Sequence, residues 1–258
     1  MALPKLKEKV FTHFLKGIKK EVRFRGFTTK EQEILLECIP DNKKELTKKQ
    51  ELEITEAVCQ VISNCIVDDI DVKSLTYFDL IDMFIQLRKV SVSDVIELKY
   101  QLTHPDVEDE RLRYEVVTHN IDLSKVDVTV PDDSERIITI DNDQNLEYYV
   151  QMKYPSIRGM INDSKTETKT DVIATKLYSM VESVVVDGEV YKQEDFTLKE
   201  WIETFDSFGS FNQARFVDFI KNIPDVEYEF DIVSVRNPEV KHTIKLKEIG
   251  RASCRERV

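Results

Sequence analysis

An α+β fold, with helical segments each followed by antiparallel β-hairpins and a short-strand β region in the middle, is predicted by three features of the sequence. Apolar residues recur at the helical period from Ile34 to residue 89, the period switches to two at Ile96, and the same order of signals returns after residue 171.

The first element is basic, with Lys16, Lys19, Lys20, Arg23 and Arg25 close together and Glu21 among them. Val22 and Phe24 alternate with Arg23 and Arg25, which predicts a strand with one solvated face. Thr28-Thr29-Lys30-Glu31 has the form of a capping box, so a helix should run through Ile34, Leu35 and Cys38 and stop before Pro40. The polar stretch Asp41 to Gln50 reads as a loop. A second helix then carries Ile54, Val58, Val61, Ile62 and Cys65, and a third, from near Thr76 to Lys89, carries Leu80, Ile81, Phe84, Ile85 and Leu87. These three helices can share one core.

The next residues alternate. Ile96, Leu98, Tyr100 and Leu102 should face inward, and after a polar turn Leu112, Tyr114 and Val116 should do the same, with Glu97, Lys99, Gln101, Arg111, Arg113 and Glu115 in water. Short strands are expected at Val126 to Val130, Arg136 to Ile140 and Leu146 to Lys153, and a polar linker or loop at Ser156 to Thr170.

Past the linker, Ile173, Leu177, Val181 and Val184 fit one helix. Thr197-Leu198-Lys199-Glu200 and Ser210-Phe211-Asn212-Gln213 look like capping boxes for two more, with Trp201, Ile202, Phe205, Phe216, Phe219 and Ile220 as core stripes. A last hairpin should turn Val226, Tyr228, Phe230 and Ile232 inward against Ile244 and Leu246. Glu227, Glu229 and Asp231 would then face Lys241, Lys245 and Lys247 on the wet side. The organisation read from this is 1–155 for N-terminal helices plus strands, 156–170 for the linker and 171–247 for C-terminal helices plus a hairpin.

Residues 248–258 are set apart. Glu248-Ile249-Gly250-Arg251-Ala252-Ser253-Cys254-Arg255-Glu256-Arg257-Val258 match the translation of a widely used sequencing adapter, so they are read as a non-native tail. Without them the net charge moves from -12 to -13.

That negative charge, with a pI of about 5.0, opposes nucleic acid or an anionic membrane as a partner unless a basic face is concentrated somewhere. No stretch approaches the ~20 apolar residues of a membrane span, and Met1-Ala2-Leu3-Pro4-Lys5 lacks the apolar core of a secretory signal, so a cytoplasmic setting is expected. Cys38, Cys59 and Cys65 read as reduced thiols on helices.

Chemical signatures are sparse. The six glycines are too scattered for a phosphate-cradling loop, and His13, His104, His119 and His242 are spread along the chain without the spacing of a metal set. Acid pairs such as Asp68-Asp69 and Asp132-Asp133 diverge in direction on either kind of element, so adjacency does not make a catalytic carboxylate pair. No catalytic, cofactor-binding or metal residue is predicted, no cofactor is expected, and the chain is read as not an enzyme.

A set of phrases carries a resemblance. Asn64-Cys65-Ile66-Val67-Asp68-Asp69-Ile70-Asp71-Val72, Thr76-Tyr77-Phe78-Asp79-Leu80, Phe84 to Val92, Glu97-Leu98-Lys99-Tyr100, Met152-Lys153-Tyr154-Pro155-Ser156 and the terminal His242-Thr243-Ile244-Lys245-Leu246-Lys247 resemble the baseplate hub assembly proteins of T-even-like contractile-tailed bacteriophages. Some members of that family carry Cys-x-x-Cys-Gly at hairpin tips. Here the tips read Thr103-His104-Pro105-Asp106 and Val235-Arg236-Asn237-Pro238-Glu239, so the resemblance implies no metal role.

What the resemblance implies is a non-enzymatic assembly factor, either a chaperone that leaves or a hub component that stays, made in the host cytoplasm and, in the second case, carried in the virion tail baseplate. Its partners would be other phage baseplate or hub proteins, with no nucleic acid, no membrane and no small-molecule ligand. The competing classes are a permanent structural subunit of the baseplate, a small hydrolase or other phage enzyme, and a zinc or nucleic-acid adaptor, which would show stoichiometric metal or salt-sensitive DNA binding.

Overall fold

The structure is a computed structural model and describes residues 8–38, 47–104, 113–143, 146–165, 172–237, 239 and 241–247. The described residues within Met1–Val72, Phe78–Thr129 and Asp225–Val258 form one compact unit, and those within Lys73–Tyr77 and Val130–Pro224 form a second.

In the first unit β1 (Val10–Leu15) and β2 (Lys20–Arg25) pair antiparallel, with Leu15, Val22 and Phe24 buried as their alternation demands. Ile66 and Val67 lie along the other edge of β2, through a Phe24 bridge and a Val67 N–H to Arg23 C=O bond of 2.9 Å. Helix α1 (Thr29–Cys38) begins at the predicted place, but Glu31 rather than Thr28 does most of the capping: its carboxylate accepts both the Thr28 N–H and the Thr28 hydroxyl. Helix α2 (Lys48–Cys65) starts on a complete capping box, Thr47 with Gln50, inside the stretch expected to be loop. Such a cap contributes about 1 kcal/mol. Its face of Val58, Val61, Ile62 and Cys65, and Leu80, Ile81, Phe84, Ile85 and Leu87 of α3 (Tyr77–Ser91), are buried as predicted.

Strand β3 (Val95–Thr103) buries Ile96 and Leu102 and half-buries Leu98 and Tyr100, the expected phase. Its partner β4 (Tyr114–Asp122) has the opposite phase to the expected one. Glu115 is buried and Tyr114 and Val116 are exposed, because the strand runs on to Asp122 and its inner row is set by Val117, His119 and Ile121. Leu112 and Arg111 lie outside the described residues. β9 (Glu227–Val233) and β10 (Lys241–Lys247) pair in the register that sets Glu229 opposite Lys245 and Glu227 opposite Lys247. Val226, Phe230 and Ile232 are buried, and Asp231 takes Lys241 at 2.8 Å. Phe230 stacks on His119 at 4.0 Å between centroids and meets Tyr100 edge-on at 5.6 Å, so this hairpin belongs with β3 and β4 and not with the helices that precede it in the chain. The linear partition at 155 and 171 is therefore not how contacts divide the molecule.

The expected strand at Val126 to Val130 does not pair. Side chains satisfy its backbone instead: Asp127 accepts the Val128 N–H, and the Lys16 ammonium donates to Val128 C=O.

In the second unit β5 (Ile137–Thr139), β6 (Tyr148–Met152), β7 (Val181–Val186) and β8 (Glu189–Lys192) form an antiparallel sheet in that order. Val181 and Val184, expected on a helix, sit in β7. Helix α5 (Val172–Met180) ends where the β-branched run begins, and Asp187 and Gly188, both at positive φ, make the tight turn to β8. Helix α4 (Ile157–Lys165) occupies most of the stretch read as a linker, while residues 166–171 lie outside the described residues. Helix α6 (Leu198–Ser207) has the predicted Thr197 and Glu200 box. Helix α7 (Ser210–Lys221) does not have the other: Gly209 is its N-cap, and Gln213 donates to Phe205 C=O instead of reaching back to Ser210.

Trp201 anchors this unit. It is 1% exposed, its indole N–H donates to Ala174 C=O at 2.9 Å, and Phe205, Phe216 and Phe196 ring it at tilted and edge-on angles. A hydrogen-bonded indole inside an apolar shell keeps its large buried area without stranding a donor.

Candidate functional site

Two places in the structure gather polar groups that the sequence pattern alone does not bring together. The first lies at the end of the β3–β4 and β9–β10 hairpins in the first unit. Glu115, only 7% exposed, carries a carboxylate to the inner side of β4. It accepts the Ser234 hydroxyl at 2.6 Å, takes the His104 Nε2 at 2.9 Å, and accepts the Val235 N–H at 2.9 Å. Ser234 Oγ in turn accepts the N–H groups of Arg236 and Asn237.

The Ser234 hydrogen bond, helped by those from His104 and Val235 and working against burial, holds the Glu115 carboxyl at about 2. A charge buried with this many donors is stable only in its ionised form. Its structural effect is to fix the chain just after β9 against the start of β4. The residues beside it then stand out in water: Tyr114 and Val116 on β4, and Val235, which is 83% exposed.

The second place is the outer edge of β5. Ile140 N–H donates to Tyr148 C=O at 2.8 Å, which makes those residues a hydrogen-bonded pair. In an antiparallel ladder such pairs alternate, so Ile138 and Val150 form the next one and the backbones of Thr139 and Ile137 turn outward. Helix α7 meets that edge with a stripe of polar side chains. Asn212, buried, accepts the Asp141 N–H at 3.1 Å and donates to Asp141 C=O at 2.8 Å, as a neighbouring strand would. One turn on, Arg215 donates to Thr139 C=O and pairs with Asp141 at 2.8 Å. Beyond Arg215 the stripe opens into a cleft of about 440 Å³, with Tyr154 and Phe219 stacked at its base and Glu135 and Asp218 at its rim.

The groups weighed from sequence have mundane partners. Lys16 pairs with Asp127 at 2.7 Å, Arg23 with Asp68 at 2.7 Å, and Arg25 with Glu31 at 2.9 Å, so the basic run is largely neutralised by the chain's own acids. His13 sits 2.8 Å from Asp82, and His242 is exposed on β10. Asp133 pairs with Arg136. Burial pushes the Cys65 thiol up to about 11, which makes it a poor nucleophile at neutral pH. Among the described residues no three of His, Cys, Asp and Glu gather in a group able to hold a metal ion, and no helix is long and apolar enough to cross a membrane.

Neither Glu115 nor Asn212 stood out from sequence. The signal for Glu115 was the inner row of Val117, His119 and Ile121 read backwards; for Asn212 there was none, because its partner lies 71 residues away.

A family model described as T4 bacteriophage base plate protein matches residues 7–251. Neither a curated protein nor a solved structure matches the chain.

Proposed function

The chain belongs to the T4 bacteriophage base plate protein family, and from that premise we propose that it is a non-enzymatic factor in assembly of the central baseplate hub, working in the host cytoplasm through contacts with other baseplate proteins. The observation that carries this reading is a set of exposed apolar side chains next to Glu115 and the segment it holds: Tyr114 and Val116, which flank it on β4, and Val235, whose N–H it accepts. Large apolar side chains held in place cost little ordering entropy when a partner covers them, and a tyrosine among them supplies the kind of contact on which binding energy concentrates. The internal pairing of Lys16, Arg23 and Arg25 supports a protein partner over nucleic acid.

The test is a phage carrying Val116→Asp together with Val235→Asp. Both positions are exposed, so the variant should fold and melt as the parent does, yet fail to co-purify with hub intermediates. Normal co-purification and normal tail yield would sink the reading. Mass spectrometry of wild-type intermediates and mature tails then separates the two forms of the proposal. A factor that leaves is present with intermediates and lost from tails, whereas a permanent subunit stays at fixed stoichiometry. The transient form is the one we favour, on the family resemblance.

A further inference from the structure

We propose that the cleft between the β5 edge and helix α7 receives an extended segment of another protein that carries a lysine or arginine. The inference rests on the reading that the chain works through protein contacts, and it names a second surface and the chemistry that surface would select.

Three observations converge on it. The first is the edge itself: Thr139 and Ile137 turn their backbones outward, and Arg215 occupies Thr139 C=O. Among the described residues that leaves Ile137 C=O and Thr139 N–H on the outer edge, where both residues line the cleft. An acceptor and a donor separated in this way match one residue of a strand running parallel to β5, whose N–H would meet Ile137 C=O and whose C=O would meet Thr139 N–H. Adding a strand to a sheet edge in this manner is a recurrent way of binding peptides.

The second is shape. Asn212 and Arg215 close the edge at Asp141 and Thr139, but the stripe stops there, and the space of about 440 Å³ beside Ile137 has an aromatic base in Tyr154 and Phe219. An aliphatic stem can lie against the part of Tyr154 that Phe219 and Arg136 leave uncovered.

The third is charge. Glu135 and Asp218 stand at the rim, and among the described residues the nearby cations are paired: Arg215 with Asp141, Arg136, which lies over Tyr154, with Asp133, and Lys221 with Asp218 itself at 3.4 Å, a solvent-exposed pair of little strength that an incoming cation can replace. A basic side chain on the incoming segment is complementary to what is left, whereas an acidic one meets like charge.

The probe is an array of overlapping peptides about twelve residues long, tiled across the phage's tail proteins and across this chain, bound to the full-length protein. Bound peptides should be rich in Lys and Arg, and Glu135→Lys with Asp218→Lys should weaken them by about tenfold or more. Both positions are exposed, so an unchanged melting curve shows that the variant is folded. In the strongest binder, N-methylation should abolish binding at one position and the Thr139 amide resonance should move on titration.

Binding that survives the charge reversal, tolerates N-methylation everywhere, or involves only peptides of this chain overturns the proposal, the last by pointing to a second copy. No cleft-dependent binder anywhere in the array overturns it as well. Because the variants at Val116 and Val235 leave the cleft intact, failure here and failure of the assembly reading give different results.

Discussion

The carboxylate of Asp79 closes on the backbone of Gly17: it accepts the Gly17 N–H at 2.8 Å and the Ile18 N–H at 3.1 Å, and so ties the turn between β1 and β2 to helix α3. A Cβ at position 17 would overlap that carboxylate and the Phe78 ring, and Asp79, 1% exposed, has no room to withdraw. Gly17→Ala should therefore destabilise the protein by ~1–3 kcal/mol. Gly159→Ala, where among the described residues a Cβ meets only Ser156 Oγ at 3.6 Å inside a helix, should stabilise it by ~0.5–1 kcal/mol. Urea melts of the two variants check the opposite signs.

His119 gives the first unit a pH dependence on the acid side of neutrality. Its ring lies flat on Phe230, its Nε2 is enclosed without a hydrogen-bond partner among the described residues, and burial lowers its pKa from the ordinary 6.5. The unfolded chain then binds the proton more tightly than the folded one, so the stabilisation is complete above pH 6.5 and is lost as pH falls through the lower folded value. The melting temperature should drop between pH 7 and pH 5, and His119→Leu should flatten that drop. Parallel curves for the two proteins would remove His119 as the cause.

Glu115 acts at lower pH. Its carboxyl titrates at about 2 in the fold against an ordinary 4.5, so its contribution is present above pH 4.5 and disappears as pH falls through 2. Glu115→Gln, which loses the charge but keeps the shape, should lower stability at pH 7 and narrow the gap to the parent protein near pH 2. Calorimetry at both pH values measures it.

Asn212→Leu keeps the volume of a buried side chain but removes both bonds to Asp141. Leaving that backbone N–H and C=O without partners should cost ~1–3 kcal/mol. The variant should also aggregate on heating more readily than Trp201→Phe, a core change that leaves the sheet edge covered. Light scattering during thermal ramps tests that ordering.

Elements with a long, one-sided apolar period were legible in the sequence: α2, α3, β3 and β9 lie where their stripes place them. The failures have local causes. The row of Ile173, Leu177, Val181 and Val184 satisfies a helix, and only the β-branched Val184-Val185-Val186 followed by Asp187-Gly188 says that a strand and a turn have taken over. The phase of β4 was hidden because a buried glutamate sits in its inner row, a choice that makes sense only once Ser234 and Val235 arrive from 119 and 120 residues away. The edge of β5 was hidden for the same reason. Period reports burial, and these groups are held by long-range hydrogen bonds that have no period. Residues 248–258, read as a foreign tail, lie outside the described residues, although the family match runs on to Arg251.

The guarding of β5 by Asn212 and Arg215 also has a meaning in time. The ribosome delivers Asp141 well before the asparagine that covers it, 71 residues later in the chain. At bacterial synthesis speeds of about 5–20 residues per second that is an interval of roughly 4–14 s in which a nascent sheet edge has no cover. An infected cell translating many copies at once puts such edges within reach of one another on neighbouring polysomes. Yield of this protein should therefore depend on host chaperones during synthesis more than the stability of the finished molecule would suggest, and slowing translation without them should send it to inclusion bodies.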